Sequence, residues 1–163
     1  MLTGLAHTAV CVPDVRAATR WYADVLGLEI LSPPHRMEGE QIERDMGELL
    51  PSPVVVTAAI VGFGPDDHVI ELVEYPAAGV APARDGEPSV ARMGITHVGM
   101  LCDDIAATRA ELEGRGVQFL TKGIADVAGL ETTWCRDPWG TVIILLQKSR
   151  GDRPYWGQLM API

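Results

Sequence analysis

An internal repeat constrains this chain more than any other feature of its sequence. The segment Gly4-Leu5-Ala6-His7-Thr8-Ala9-Val10-Cys11 is matched by Gly94-Ile95-Thr96-His97-Val98-Gly99-Met100-Leu101, and the two histidines stand 90 residues apart. The residues that follow each copy, 13–20 and 103–110, also match. Because this period exceeds that of solenoid repeats, the sequence predicts one module that has been duplicated.

Each copy predicts the order strand, helix and three strands. In the first copy, Asp14 is placed to cap the helix and Gly27 to end it, and Pro33-Pro34 is expected to end the second strand near Leu31. In the second copy, Asp103-Asp104 precedes the equivalent helix. Alternating or apolar runs predict the strands 4–12, 28–31, 54–61 and 68–74, and then 95–102, 117–120, 130–136 and 141–147.

The predicted fold is therefore α+β, with two tandem βαβββ modules. The first module spans residues 1–75, a linker rich in Pro and Gly spans 76–93, the second module spans 94–147, and a C-terminal tail spans 148–163. Helical spacing of Ile42 and Met46 among charged residues adds a short inserted helix near 38–50. That helix either plugs one end of the core or forms a lid over a pocket, and packing is the expected role.

Composition excludes several classes of function. A net charge of −9 argues against nucleic-acid binding and against attachment to an anionic membrane surface. No apolar run approaches the roughly 20 residues that a membrane helix needs. The first residues lack the pattern of a signal peptide, and the three cysteines are widely spaced, which is typical of reduced thiols. We therefore expect a cytoplasmic protein.

Strand alternation selects three polar residues. If the helix of each module covers the face that carries Val10 or Val98, His7 and His97 lie on the opposite face of the first strands. On the strand 68–74, Glu71 is likewise expected to point away from the helix. A buried carboxylate needs a partner, because an unpaired buried charge costs several kcal/mol.

Two imidazoles and one carboxylate are the ligands of a facial triad, which leaves coordination positions open. The sequence therefore predicts a divalent metal ion, Fe, Mn, Ni, Co or Zn, held by His7, Glu71 and His97. The alternative is a metal-free pocket in which Glu71 bonds one of the histidines. His35 and His68 are not expected to be ligands.

The chain resembles the vicinal oxygen chelate superfamily, which includes glyoxalase I, methylmalonyl-CoA epimerase, extradiol dioxygenases, fosfomycin-resistance enzymes and bleomycin-binding proteins. The resemblance covers about residues 4–147. It is carried by the two His segments, by 21–28 (Trp-Tyr-Ala-Asp-Val-Leu-Gly-Leu), by Val69-Ile70-Glu71-Leu72 and by Arg136-Asp137-Pro138-Trp139-Gly140. It implies paired βαβββ modules whose strands curl around a metal-centred cavity.

The resemblance also implies a fourth ligand on the last strand, where this chain has Ile144. Isoleucine neither ligates a metal nor carries a proton, which argues against glyoxalase or epimerase chemistry that uses this acid. No catalytic residue is assigned; Glu131 and Cys135, and Glu40, Glu43 and Arg44 of the inserted helix, are weak candidates. Apolar cavity walls are expected from Val69, Val73, Val142, Ile144 and Leu146.

Three functions are thus open. The first is a metal-dependent lyase, isomerase or dioxygenase that acts on a small, partly hydrophobic, oxygenated metabolite bound through two oxygens. The second is a non-catalytic protein of the same fold that binds an antibiotic-like molecule. The third is a regulatory or assembly subunit that docks a partner through its exposed tail, Pro154-Tyr155-Trp156. We expect a small-molecule ligand in the first two cases, and a homodimer.

Overall fold

The computed structural model describes residues 1, 4–64, 67–79, 90–91, 93–127 and 129–157. The chain forms two compact units, Met1–Arg84 and Asp85–Ile163. Much of the linker expected at 76–93, and the last six residues of the tail, lie outside the described residues. No described helix has both the length and the apolar character needed to cross a membrane.

The first unit contains one mixed sheet with a helix on one face. Its elements are β1 (His7–Cys11), α1 (Val15–Asp24), β2 (Glu29–Glu38), α2 (Glu40–Met46), β3 (Val55–Gly62) and β4 (Val69–Glu74). The strand order is β1-β4-β3-β2, with β1 parallel to β4 and the other pairs antiparallel. The first and last strands of the module are therefore neighbours.

The second unit repeats this arrangement. Its elements are β5 (Val98–Leu101), α3 (Ile105–Gly114), β6 (Gln118–Phe119), β7 (Ala125–Asp126), β8 (Leu130–Arg136) and β9 (Val142–Lys148), followed by a short 3₁₀ turn (Tyr155–Gly157). The strand order is β5-β9-β8-β6, β7 pairs with β8, and β5 is parallel to β9. The predicted α+β fold is confirmed.

Helices α1 and α3 begin as the sequence predicts. The side chains of Asp14 and Asp104 each accept a 2.9 Å hydrogen bond from the backbone N–H three residues later. A second acceptor comes from the last strand of each unit. Glu74 Oε2 accepts from the N–H of Val15 at 3.0 Å, and Gln147 Oε1 accepts from the N–H of Ile105 at 2.6 Å. The repeat therefore ties each helix to its sheet in the same way.

The prediction that Pro33-Pro34 ends the second strand is wrong. Strand β2 continues to Glu38, with register irregularities between Ile30 and Ser32 and between Ser32 and His35. It lies at the edge of the sheet, where a proline that cannot donate a hydrogen bond is tolerated. The short strand β7 lies between the predicted strands 117–120 and 130–136, where the sequence predicted no strand.

The inserted helix α2 packs on the sheet. Ile42 and Met46 of this helix contact a buried cluster formed by Val54, Val56 and Val73. The carboxylate of Glu43 accepts hydrogen bonds from the Val54 N–H at 2.7 Å and from the Ser52 hydroxyl. These contacts favour the packing role over a lid, and they engage Glu43 in the structure of the loop before β3.

The duplicated helix anchor gives a test of local stability. Replacing Glu74 with Ala removes the acceptor for the Val15 N–H, and we expect a loss of about 1 kcal/mol in the free energy of unfolding. Glu74→Gln is the matched control, because glutamine performs this role at position 147. Urea unfolding measures both variants. Equal stability of Glu74→Ala and Glu74→Gln would show that the bond does not anchor the helix.

Candidate functional site

The structure brings His7 and Glu71 together in the first unit. The register of β1 and β4 places Ala9 beside Glu71 and His7 beside Val69. From these positions His7 Nε2 and Glu71 Oε2 approach to 3.3 Å, and the two side chains keep 46% and 26% of their surface exposed. An imidazole and a carboxylate therefore form a pair that solvent and ligands can reach.

Alternation along β4 explains why this acid is not covered by the helix. Ile70 and Leu72 are buried in the core with the residues of α1, whereas Glu71 between them is half-buried on the other face. Of its neighbours on that face, Val69 is half-buried, but Val73 is only 4% exposed and packs in the cluster under α2. The inserted helix thus closes one end of this face, and the end that carries His7 stays open.

The pair fits a divalent metal ion in chemistry and in spacing. Nitrogen and oxygen donors bind such ions at about 2.0–2.2 Å, so two donors on one ion lie about 2.8–3.1 Å apart at octahedral angles and about 3.3–3.6 Å apart at tetrahedral angles. The observed separation of 3.3 Å matches the tetrahedral distance. Within either unit, as far as each is described, no group of three or more His, Cys, Asp or Glu side chains is placed to hold a metal. The first unit therefore supplies two donors.

His97 belongs to the second unit and directly precedes β5. Its Nδ1 shares a 2.8 Å hydrogen bond with the hydroxyl of Thr96, and its ring lies 4.9 Å from the ring of Trp134 in an edge-to-face arrangement. These contacts fix the orientation of the imidazole. Because Nδ1 is engaged, Nε2 is the nitrogen that can bind a ligand, and the side chain is exposed.

Strand registers show that Ile144 is the counterpart of Glu71. Residues opposite each other on adjacent strands share a face of the sheet. In the first unit Ala9, Glu71 and Ile60 form one such row; in the second unit the row is Gly99, Ile144 and Trp134. The second row therefore carries an isoleucine in place of the acid and a tryptophan in place of an isoleucine.

The remaining predicted wall residues differ in exposure. Ile144 is half-buried, whereas Val142 and Leu146 are each 7% exposed. Leu101, which lies beside Leu146 on the same face, is exposed. The accessible apolar surface on this side of the second sheet thus comes mainly from Ile144, Trp134 and Leu101.

Tyr75 is a residue near the acid that the sequence analysis did not select. It follows β4 at the next position of the alternation that contains Glu71, and its ring packs against the cluster under α2. Burial raises the pKa of the Tyr75 phenol, and the charges of Cys11 and Glu71 raise it further. The hydroxyl therefore keeps its proton at neutral pH. Val69, Glu71 and Val73 alternate on one face of β4, and continuing that pattern by two residues in the sequence analysis would have identified Tyr75.

Four of the five weaker candidates are engaged elsewhere or are buried, whereas Glu131 is half-buried on β8. Glu40 forms an ion pair with Arg44 along the exposed side of α2. Cys135 is fully buried, and burial, with the charge of Asp137 as a smaller cause, raises the pKa of its thiol to about 11. A thiol that stays protonated and has no access to solvent is not a proton carrier at neutral pH. His68 shares a 2.8 Å hydrogen bond with Thr8.

Comparison with known proteins shows relatives of the same fold. Solved structures that resemble the chain include a glyoxalase family protein from Bacillus cereus, with 20% identity, a TM-score of 0.75, and coverage of 91% of this chain and 95% of that one. The trypanothione-dependent glyoxalase I of Leishmania major has 19% identity, a TM-score of 0.60, and coverage of 90% and 87%. At these identities the likeness shows the fold.

A superfamily member from Sphaerobacter thermophilus, with 22% identity and a TM-score of 0.57, is covered over 98% of its length by 90% of this chain. No match was found among curated proteins. The model of the Glyoxalase/Bleomycin resistance protein/Dioxygenase superfamily matches residues 4–145. The match spans both copies of the repeat and confirms the resemblance. The chain therefore belongs to the glyoxalase/bleomycin resistance protein/dioxygenase superfamily.

Proposed function

We propose that the protein is a metal-dependent enzyme that acts on a small, partly hydrophobic, oxygenated metabolite. Its divalent ion, one of Fe, Mn, Ni, Co or Zn, would be held by His7 and Glu71 of the first unit and by His97 of the second. The observation that carries the proposal is the 3.3 Å approach of an imidazole and a carboxylate on an accessible sheet face. Superfamily membership supports it.

Three protein ligands leave positions for two oxygens of a substrate. These three residues would hold the ion, which would supply Lewis-acid polarisation of a carbonyl or hydroxyl group of the substrate. The chain's own groups would position the substrate: His7 and Glu71 already lie side by side, half-buried Val69 adds an apolar surface beside His7, and the protonated hydroxyl of Tyr75 is a possible hydrogen-bond donor. Ile144 offers no proton acceptor, which favours a lyase, isomerase or dioxygenase reaction that needs no base at this position.

Loss of metal on mutation tests the proposed ligands. Protein stripped with a chelator and titrated with Zn(II) or Mn(II) is expected to bind one equivalent, and His7→Ala and Glu71→Gln are expected to lower its affinity by about tenfold or more. Calorimetry gives the affinity, and elemental analysis gives the stoichiometry.

His35→Ala is the matched control, because this histidine is exposed and its Nδ1 contacts only the nearby carbonyl of Pro33 in the described contacts. Wild-type protein that holds less than about a tenth of an equivalent after reconstitution contradicts the proposal. Equal loss in the control and in the ligand variants contradicts the assignment of the ligands.

A binding protein without turnover is the second candidate. The specific observation that favours it is the apolar row in the second unit, where Ile144 and Trp134 replace an acid and a smaller residue. Such a surface suits the binding of an antibiotic-like molecule, and because Ile144 replaces the acid it carries no base that could convert this molecule. It would still be a member of this superfamily that binds a small molecule.

His97→Ala distinguishes the two candidates. For an enzyme we expect the variant to lose metal affinity by about tenfold or more and to lose turnover together with it. For a binding protein, thermal shifts measured with a panel of aromatic antibiotics should persist in the variant and in chelator-treated wild type. Unchanged metal affinity in His97→Ala would contradict the three-ligand site. The homodimer, the cytoplasmic location and the docking role of the tail stay predictions.

A further inference from the structure

The last residue of β8, Arg136, lies on the face of the second sheet that α3 leaves open. Alternation along β8 places Thr133 on the side of α3, where Arg109 of that helix donates to the Thr133 hydroxyl. Trp134 and Arg136 therefore point to the opposite side, which is the side of the contact between Trp134 and His97. Arg136 is half-buried, so its guanidinium is partly withdrawn from water but still accessible.

The hydrogen bonds of Arg136 leave one edge of its guanidinium free to bind a ligand. Its Nε donates to Gln118 Oε1 at 2.8 Å, across the pairing of β6 with β8. Among the residues that the structure describes, no other group accepts a hydrogen bond from this side chain. The two terminal nitrogens therefore present a pair of N–H donors, which is the geometry that binds a carboxylate through both of its oxygens.

The repeat shows that this arginine lacks the acid that its neighbour could have supplied. In the first unit the last residue of β3 is Gly62, and it pairs with Glu29 at the start of β2. In the second unit the equivalent residues are Arg136 and Gln118. Glu29 and Gln118 each stand two residues after the positive-φ glycine that follows the helix. The cation thus faces a neutral amide where the first copy has a carboxylate.

The surrounding surface is apolar or positively charged. By alternation, the residues of the described strands of the second sheet that share this face include no Asp or Glu. Lys148 is on this face as well, but its Nζ donates to the carbonyl of Gly151. Trp134 lies two residues before Arg136 on β8, and Ile144 pairs with Trp134 across β9. An anion that reaches Arg136 therefore meets a local positive charge, although the chain has a net charge of −9.

We propose that Arg136 binds the carboxylate of a small organic acid whose apolar part packs on Trp134 and Ile144. One guanidinium supplies one positive charge, which matches a monocarboxylate better than a phosphate group with a charge near −2. The inference rests on the proposed function only in taking this acid as the substrate. The binding site itself lies within the second unit and needs no metal ion.

Hexanoate and hexanamide test the site, because they have the same chain and nearly the same shape and differ in charge. Metal-free protein is titrated with each compound, and the NMR signal of the Trp134 indole N–H, assigned with Trp134→Phe, reports binding. We expect hexanoate to bind about tenfold more tightly than hexanamide, because charge-assisted hydrogen bonds are stronger than neutral ones. Acetate should bind about fivefold more weakly than hexanoate, because it lacks the chain that packs on the indole.

Gln118→Glu removes the uncompensated charge without changing Arg136. The new carboxylate can still accept from Nε and neutralises the guanidinium, so hexanoate affinity should fall to within about twofold of hexanamide affinity. Arg136→Gln should have the same effect, and both variants should leave hexanamide affinity within about twofold of wild type. Gln118 is exposed at the edge of the sheet, so Gln118→Glu decides the question if Arg136→Gln fails to fold.

Arg20→Gln is the matched control, because this arginine is exposed on α1 and the substitution removes the same charge. It should keep the full preference for hexanoate. Equal loss of the preference in Arg20→Gln and Arg136→Gln would show that net charge, rather than a site at Arg136, attracts the anion, and would overturn the inference.

The remaining outcomes separate the inference from the proposed function. Equal affinities for hexanoate and hexanamide in wild type, or a preference that persists in Gln118→Glu, overturn the inference. Equal affinities for acetate and hexanoate overturn the apolar contact, and tighter binding of hexylphosphonate than of hexanoate overturns the carboxylate assignment. Protein that binds hexanoate through Arg136 but no metal ion contradicts the proposed function alone, whereas protein that binds metal but shows no preference for hexanoate contradicts the inference alone.

Discussion

The parallel pairing of the first and last strands of each unit is the constraint on which the site depends. It places residue 9 beside residue 71 and residue 99 beside residue 144, although each pair is far apart in the chain. Paired residues share a face of the sheet, and His7 lies two residues before Ala9 on the same face of β1. Its imidazole therefore lies near Glu71 on the side of the sheet that the helix leaves open. In the first unit the result is the contact between His7 and Glu71.

Duplication makes the two units comparable residue by residue, and the comparison separates structural roles from functional ones. The helix caps Asp14 and Asp104 occur in both copies, as do the helix anchors Glu74 and Gln147. These residues serve the fold. Glu71 occurs once, and its counterpart in the second unit is Ile144, so the repeated fold does not require an acid at this position.

Much of this could be predicted from the sequence, for physical reasons that are local. The repeat implied two equivalent modules, Asp before an apolar helical stripe implied a cap, and strict alternation placed Glu71 and His7 on one face. The extension of β2 through Pro33-Pro34 was missed because tolerance of proline depends on the strand being at an edge, which only the pairing order reveals.

The sequence analysis did not select Trp134 and Tyr75 for a related reason. The neighbour of Ile144 across β8 and β9 depends on register, and register is set by long-range pairing rather than by the composition of either strand. Similarly, the packing of Tyr75 against the residues under α2 depends on where the inserted helix lands. Sequence periodicity predicts which side chains of one strand share a face, but it does not predict which residues of the adjacent strand lie beside them.

The most direct test of the account is the ligand environment of a metal bound by the reconstituted protein. Extended X-ray absorption fine structure of the Zn(II) form distinguishes imidazole from carboxylate and water ligands and counts the imidazoles. The account predicts two imidazoles per zinc in wild type and one in His97→Ala. A zinc shell without imidazole, or the same two imidazoles in wild type and in His97→Ala, would contradict it.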